Sequence, residues 1–102
     1  MKFDHVAVNV KDIRASTEWY VKNLNAEVLY LDDTWAFLET HGSKIALTLK
    51  SQHPAHICFA ITEKEREEKF SDKTFKKHRD GSSSCYTSDI DGNFIEYLIW
   101  PE

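Results

Sequence analysis

Apolar and polar residues alternate along several short stretches of the chain, and this period of two is typical of half-buried β-strands. Residues 2–10 are the first such stretch. Three valines share one face of this strand, and the opposite face carries His5, Ala7 and Asn9. The pattern predicts an N-terminal strand that packs its valine face into a core and holds a histidine on the other face.

A helical pattern follows this strand. Its apolar stripe, spaced by three or four residues, consists of Ile13, Thr17, Tyr20 and Leu24. Asp12 precedes the stripe and can accept hydrogen bonds from the N–H groups of a first helical turn. Asn25 follows the stripe and readily adopts the left-handed conformation that ends many helices. These signals predict a helix from Asp12 to about Leu24.

Three further strands complete the first half of the chain. The stretches AEVLYL, WAFLET and KIALTLK are rich in β-branched and aromatic residues, and the turn-forming segments DDT and HGS separate them. The first half of the sequence therefore predicts the element order βαβββ.

The second half begins in the same way, with a strand at 55–61, and closes with strands at about 83–88 and 94–100. Between them lies the charged stretch EKEREEKFSDKTFKKHRD. It predicts one or two short helices, with Ser71 as an internal cap and a C-terminus near residues 76–78. One strand of the second half is therefore expected to be missing or very short.

Two pairs of segments repeat between the halves of the chain. The segment FDHVAVNVKDI at 3–13 resembles PAHICFAITEK at 54–64, and GSKIALTL at 42–49 resembles GNFIEYLI at 92–99. Because both pairs are separated by nearly the same distance along the chain, they indicate a duplicated module of half the chain.

A length of 102 residues suits one domain, so we expect a single domain at 1–102 with modules at 1–50 and 51–102. The 13 basic and 17 acidic residues give a net charge of −4 without a basic stripe, which argues against a nucleic-acid partner. No apolar run approaches the ~20 residues of a membrane span, and the start MKFDHVAVNV does not resemble a signal peptide. Cys58 and Cys85 match no metal or redox spacing. We therefore expect a soluble cytoplasmic protein with reduced thiols and no membrane partner.

Glu96 is an unexpected residue for its position in the almost wholly apolar stretch DGNFIEYLIW. An unpaired carboxylate in a buried strand is costly and needs a partner, a metal or water. Superposing the two modules pairs His5 with His56, and Ala46 with Glu96. A pseudo-twofold assembly of the modules would therefore bring two imidazoles and one carboxylate together, with a methyl group at the fourth position.

Two histidines and one carboxylate form a ligand set for Fe(II) that also suits Zn, Mn, Ni or Co. Open coordination positions let a substrate oxygen reach the ion, which then acts as a Lewis acid or lowers the pKa of bound water. The spacing alone leaves a structural interpretation open, because single histidines at strand starts are commonly satisfied within the fold.

Three stretches resemble the motifs of a known family. The opening DHVAVNVKDIRASTEWYVKNLNAEV is similar to a signature of His, alternating apolar residues, Asp, and a helix that ends with Phe-Tyr and Leu-Gly. Here Trp19-Tyr20 and Leu24-Asn25 take the last two places. AHICFAI resembles the family's second histidine strand, and YTSDIDGNFIEYLIW resembles its closing Asp-Pro-Asp-Gly-Asn-x-x-Glu, with Ile90 in place of proline. Over nearly its whole length the chain resembles the vicinal oxygen chelate superfamily, also called the glyoxalase/bleomycin resistance/extradiol dioxygenase superfamily.

The resemblance implies an α+β fold in which two βαβββ modules, the second shortened, form a curved mixed sheet around a cup-shaped site. It implies that His5, His56 and Glu96 hold a divalent metal ion (Fe, Mn, Zn, Ni or Co), and it gives Glu96 a catalytic role as well. Four-ligand members similar to glyoxalase I carry Gln, Glu or His where Ala46 stands, which disfavours a true lactoylglutathione lyase. In many relatives two chains exchange modules, so the resemblance also implies a homodimer.

The function that the resemblance favours is a divalent-metal-dependent enzyme acting on a small oxygenated substrate through metal chelation. Lyase, isomerase, ring-cleaving dioxygenase and thiol-transferase chemistry all fit this description. Candidate groups for proton transfer or substrate contact are Asn9, Thr48, Cys58 and Tyr86, although packing explains each of them as well. The serines at 82–84 are interpreted as a loop or strand entry, since no histidine or acid is expected beside them.

Two other classes of function stay open. One is a metal-free protein of the bleomycin-resistance type that binds a drug or toxin, with an apolar cleft lined by Trp35, Phe37, Phe94 and Trp100. The other is an interaction or structural domain with a vestigial site, which the short second module favours. The presence or absence of a bound divalent metal discriminates the enzyme from the metal-free binding protein.

Overall fold

The computed structural model describes residues 1–101, which form eight strands and two helices. In chain order these are β1 (Lys2–Asn9), α1 (Ile13–Leu24), β2 (Glu27–Leu31), β3 (Trp35–Thr40), β4 (Ser43–Thr48), β5 (His56–Ala60), α2 (Glu63–Lys69), β6 (Lys76–Lys77), β7 (Ser83–Ser88) and β8 (Phe94–Ile99). The order βαβββ occurs twice, which confirms the predicted α+β fold of two such modules. The chain divides into two compact units. We call His5–His56 the first unit, and Met1–Asp4 with the chain from Ile57 onward the second unit.

The strands of the first unit lie in the order β2-β3-β4-β1. Strand β1 runs parallel to β4. The pairs β4–β3 and β3–β2 are antiparallel. Ala46 on β4 lies between Ala7 on β1 and Phe37 on β3 in this register. The sheet of this unit is therefore mixed, as predicted, and Ala7, Ala46 and Phe37 are direct neighbours across three of its strands.

The core of the first unit lies between helix α1 and one face of this sheet. Its fully buried members include Ile13 on α1, Leu38 on β3 and Leu47 on β4. Val8 on β1 packs against the same cluster, as the alternation of β1 predicts. Burying each leucine contributes about 1.5–3 kcal/mol relative to an exposed side chain. The opposite face of the sheet is thereby left to His5 and its neighbours.

Helix α1 begins and ends where the sequence predicts. The Asp12 carboxylate accepts a hydrogen bond from the Ala15 N–H at 3.1 Å, which satisfies a free donor of the first turn. Asn25 adopts the left-handed conformation, with φ of 53°, and its N–H donates to the Tyr20 carbonyl. Both ends of α1 are therefore fixed by local interactions that the sequence alone encodes.

The strands of the second unit follow the order β5-β8-β7-β6, and β6, β7 and β8 are joined in antiparallel pairs. The first residues of β1 belong to this unit, where the Phe3 ring meets the Phe59 ring edge-on at 5.5 Å. The Trp100 indole N–H also donates to the Asp4 carboxylate at 3.0 Å. Strand β6 has two residues, which confirms the prediction of a very short strand in this module.

The charged stretch of the second half forms less helix than predicted. Helix α2 ends at Lys69, and Lys76–Lys77 is a strand rather than a helix C-terminus. The expectation of an internal cap at Ser71 is wrong, because this residue lies in a turn after the helix. No residue of α2 is buried, so the helix depends on a capping box in which Thr62 and Glu65 exchange hydrogen bonds.

Neither helix within residues 1–101 combines the length and the apolar character that crossing a membrane would require.

Candidate functional site

The first unit brings the two predicted histidine ligands together. His5 on β1 and His56 at the start of β5 are both buried, and their ring centroids lie 5.6 Å apart. Each occupies the face that the period of two assigns to it, opposite the valine face of β1. The juxtaposition follows from the repeat, because equivalent strands of the two modules carry the two side chains.

The orientation of each ring has an identifiable cause. The Nδ1 atom of His56 lies 2.9 Å from the Pro54 carbonyl oxygen. Because a carbonyl can only accept, Nδ1 carries the proton, and in the neutral ring Nε2 carries the lone pair. The His5 ring packs edge-on against Phe37 at a centroid distance of 5.3 Å. These contacts hold two buried imidazoles in fixed positions, and the tautomer of His56 suits ligation through Nε2.

Ala46 stands at the place where four-ligand relatives carry a polar side chain. It is buried, with 4 % of its surface exposed, and its register neighbours are Ala7 and Phe37. None of these three residues offers a ligand atom. The first unit therefore provides two imidazoles and no side-chain donor at the position of Ala46.

Asn9 and Thr48, two candidates for proton transfer or substrate contact, bond to each other in the first unit. The Asn9 side-chain amide donates to the Thr48 hydroxyl at 3.0 Å and to the His53 carbonyl at 2.9 Å. Thr48 is buried, with 5 % exposed. The network ties the end of β1 to the end of β4 and to the loop that leads towards His56, so its evident role is to hold these backbones together.

Glu96, the predicted carboxylate ligand, lies on β8 in the second unit and is also buried, with 8 % exposed. Tyr86 lies directly opposite it on β7, so the two side chains project from the same face of the sheet and interact. Cys58 on β5 is completely buried, and its thiol lies close enough to Glu96 for the charge of the carboxylate to act on it. The buried carboxylate therefore has the partners that its position in an apolar strand requires.

The two partners of Glu96 stay protonated at neutral pH. Burial raises the pKa of the Cys58 thiol, and the negative charge of Glu96 raises it further. The pKa of the Tyr86 phenol is raised by the same two causes in the same order. A protonated thiol and a protonated phenol can each donate a hydrogen bond to the Glu96 carboxylate, which as an anion can only accept.

A second polar cluster in the second unit was missed in the sequence. His78 Nε2 lies 2.7 Å from the Ser84 hydroxyl, and the Asp80 carboxylate accepts hydrogen bonds from the N–H and the hydroxyl of Ser82. The expectation that no histidine or acid lies beside the serines is therefore wrong. The antiparallel pairing of β6 with β7 folds these residues together, which no local pattern encodes. Ser84 is 3 % exposed, so its hydroxyl is closed to substrate and the cluster stabilises the turn between the strands.

The residue types present fit a divalent metal ion. His5, His56 and Glu96 are all buried and are the nitrogen and oxygen donors of many transition-metal sites. Deprotonated Glu96 and neutral imidazoles are also the protonation states that ligation needs.

A comparison with protein families identifies the chain. The model of the glyoxalase/bleomycin resistance protein/dioxygenase superfamily matches residues 2–97. The chain belongs to this superfamily. The resemblance found in the sequence motifs is thereby confirmed, and the chain joins a superfamily whose members commonly bind divalent metals.

Solved structures of the glyoxalase superfamily and related proteins share the fold. A hypothetical protein from Bacillus halodurans C-125 has a TM-score of 0.77 at 20% identity, covering 99% of this chain and 95% of its own. Methylmalonyl-CoA epimerase from Mycobacterium tuberculosis has a TM-score of 0.77 at 16% identity, covering 99% and 89%. A superfamily member from Vibrio splendidus 12B01 has a TM-score of 0.66 at 15% identity, covering 93% and 95%. At such identities the likeness extends to the fold alone. The sequence matches no curated protein.

Proposed function

We propose that this superfamily member is a divalent-metal-dependent enzyme that acts on a small oxygenated substrate, with His5, His56 and Glu96 as the protein ligands of the ion. The observation that carries the proposal is the approach of two buried imidazoles to 5.6 Å between ring centroids. Both rings are buried, and the neutral imidazole is the form of histidine that ligates metals. Fe, Mn, Zn, Ni or Co would each accept two histidines and a carboxylate.

A bound divalent ion would supply Lewis-acid polarisation of a substrate oxygen. The residues of the chain have separate tasks. His56 offers Nε2 because Pro54 holds the proton on Nδ1. Glu96 supplies the negative charge of the ligand set, and we assign it a catalytic role as well. Ala46 supplies no side-chain ligand, so a bound ion would have fewer protein ligands than in four-ligand relatives.

Among the reaction types that this arrangement allows, we favour proton transfer next to a carbonyl group, as in an isomerase. Several solved neighbours are methylmalonyl-CoA epimerases, and a variant of the one from Streptomyces coelicolor was determined in complex with 2-nitronate-propionyl-CoA. Acyl-CoA thioesters are therefore the first substrates to assay, ahead of lyase, dioxygenase and thiol-transferase substrates.

Metal analysis of protein purified without a histidine tag tests the proposal. We expect one divalent ion per ligand set by elemental analysis, or its uptake when the metal-depleted protein is titrated with Co²⁺. His5→Ala, His56→Ala and Glu96→Gln should each lose this binding. His41→Asn is the matched control, because His41 is exposed and has a left-handed backbone that asparagine also adopts. Unchanged Co²⁺ binding in all three site variants would contradict the proposal.

A second candidate function is the metal-free binding of an apolar small molecule, as in bleomycin-resistance proteins. A run of aromatic rings in the first unit favours it. Tyr30 stacks on Trp35 at 4.8 Å, and Trp35 lies 5.8 Å from Phe37, with all three rings only partly covered. Quenching of tryptophan fluorescence by an aromatic ligand in metal-free protein, together with no metal uptake, would favour this function over the enzyme.

We further propose that the protein is a cytoplasmic homodimer built of single-domain chains. Cys58 and Cys85 are free and buried, as expected for a protein of a reducing compartment. The homodimer is carried over from the exchange of modules in many relatives. A molar mass by light scattering that equals one chain would contradict the dimer.

A further inference from the structure

Tyr86 and Glu96 occupy a single position of the β7–β8 ladder. Their neighbours in the register are Cys85 with Tyr97 and Thr87 with Ile95. Residues directly opposite each other in an antiparallel pair project from the same face of the sheet, with their Cβ atoms about 4.5–5.5 Å apart. The approach of the phenol to the carboxylate is therefore set by the pairing of the strands, and does not depend on a flexible loop.

Cys58 approaches Glu96 from another strand of the same unit. Its side chain is completely buried, β5 is the neighbour of β8 in the sheet, and the charge of the carboxylate acts on the thiol. A carboxylate has about four lone-pair directions for hydrogen bonds. Two donors, one from β5 and one from β7, would restrict its rotation and leave directions free for a further partner.

The chemistry of these donors suits a carboxylate that must keep its charge. A lysine or arginine beside Glu96 would form an ion pair and compete with a cation for the same negative charge. A phenol and a thiol donate hydrogen bonds and remain neutral, so they orient the carboxylate without cancelling its charge. Tyr86 is also 37 % exposed. A phenylalanine would pack equally well at this position, so packing does not account for the hydroxyl.

We propose that Tyr86 and Cys58 are positioning residues that hold the Glu96 carboxylate in the orientation in which it binds a divalent metal ion. This inference rests on the proposed function. Donors that orient a metal-ligating side chain typically contribute ten- to a hundredfold to metal affinity. The two residues act through Glu96 and are not assigned any contact with substrate.

Co²⁺ titration of the metal-depleted protein tests this inference through the affinity and the visible absorption spectrum of the bound ion. Tyr86→Phe removes only the hydroxyl, and we expect it to weaken Co²⁺ binding by about 10–100-fold and to shift the spectrum. Tyr97→Phe is the matched control, because it removes a hydroxyl from a neighbouring position of β8 whose ring packs against Phe70. It should leave affinity and spectrum unchanged.

Cys58 is tested by a pair of variants. Cys58→Ser keeps a donor at this position and should retain Co²⁺ affinity, whereas Cys58→Ala removes the donor and should weaken binding as Tyr86→Phe does. Circular dichroism shows whether each variant is folded. If the alanine variant unfolds, the serine variant still tests the proposal. A loss of Co²⁺ affinity in a folded serine variant would contradict the role of the donor.

The Glu96→Gln variant distinguishes failure of the positioning role from failure of the proposed metal site. If Glu96→Gln weakens Co²⁺ binding but Tyr86→Phe leaves affinity and spectrum unchanged, the positioning role is wrong and the proposed function stands. If Glu96→Gln itself leaves Co²⁺ binding unchanged, Glu96 is not a ligand of the ion, and both its assignment as a ligand and the positioning role are overturned.

Discussion

The Nδ1 atom of His56 lies 2.9 Å from the carbonyl oxygen of Pro54, two residues earlier in the chain. This contact fixes the tautomer of a buried imidazole by a local hydrogen bond. It therefore separates two properties of His56 that mutations usually remove together: the bond to the backbone and the ligand atom Nε2.

His56→Asn should abolish metal binding with little loss of stability. The amide nitrogen of asparagine can donate to Pro54 from about the position of Nδ1, but asparagine has no atom where Nε2 lies. We expect a melting temperature close to that of the parent protein and no uptake of Co²⁺. His56→Gln, which reaches towards the Nε2 position with an amide oxygen, is the control and should keep weak binding. Full Co²⁺ affinity in His56→Asn would show that Nε2 is not a ligand.

Ala46→Glu should convert the predicted three-ligand site into a four-ligand site. We expect tighter metal binding by isothermal titration, because the carboxylate adds a charged donor beside the proposed ligands. The larger side chain must fit at a buried position between Ala7 and Phe37, so the metal-free variant should lose about 1–3 kcal/mol of stability. Ala7→Ser, a small polar change at the neighbouring position, is the control for polarity. Metal affinity equal to that of the parent protein would contradict the assignment of this position.

Leu38→Ala should destabilise the protein without touching the proposed ligands. Leu38 is completely buried in the core between α1 and the first-unit sheet. Truncating such a leucine costs about 2–5 kcal/mol, through lost burial and the cavity that remains. Urea denaturation measures the loss, and Leu29→Ala on the exposed side of β2 is the matched control, since Leu29 is 44 % exposed. Equal midpoints for the two variants would contradict this description of the core.

The turn before β8 should make stability depend on pH in the acid range. Hydrogen bonds from the Asn93 side chain and backbone, and from the Asp91 N–H, lower the pKa of Asp89. A carboxyl group with a lowered folded-state pKa contributes stability that is complete above its unfolded pKa of about 3.9 and is lost as the pH falls through the folded value.

Melting temperatures of the parent protein and of Asp89→Asn test this dependence. The variant keeps one oxygen acceptor but places an amide N–H group against the donating Asn93 amide. We expect the variant to have a lower melting temperature than the parent protein near neutral pH. The difference between the two melting temperatures should shrink as the pH falls below about 4. Asp91→Asn is the control, because only the backbone N–H of Asp91 takes part in the turn. A difference in melting temperature that grows on acidification would contradict this prediction.

Much of the first module could be predicted because its signals are local. The alternation of β1 assigns Val8 to the core and His5 to the opposite face, and both assignments agree with the observed burial. Asp12 and Asn25 mark the ends of α1 through hydrogen bonds within one or two turns of the helix. The repeat of the histidine strand was a longer-range signal, and it predicted the approach of His5 to His56.

The charged stretch of the second module was predicted less well, because its apolar positions are too few to define a helical face. Phe70 follows the last residue of α2 as its C-cap, and its ring packs against Tyr97 at 4.4 Å, which no periodicity within the stretch indicates. The pairing of Tyr86 with Glu96 could have been predicted from the sequence. Counting outward from the DGN turn through the pair of Ser88 and Phe94 would have placed the two side chains opposite each other.

The sequence by itself determined the order of elements, the faces of the strands and the residue types offered to a metal ion. These properties depend on period and on local capping, which a linear pattern carries in full. Only the tertiary structure decided which donors hold Glu96, which carbonyl fixes His56 and which serine meets His78. The contact of His56 depends on the path of the loop before β5. The contacts of Glu96 and Ser84 depend on strand register, in which a shift of one residue would turn the side chain to the opposite face.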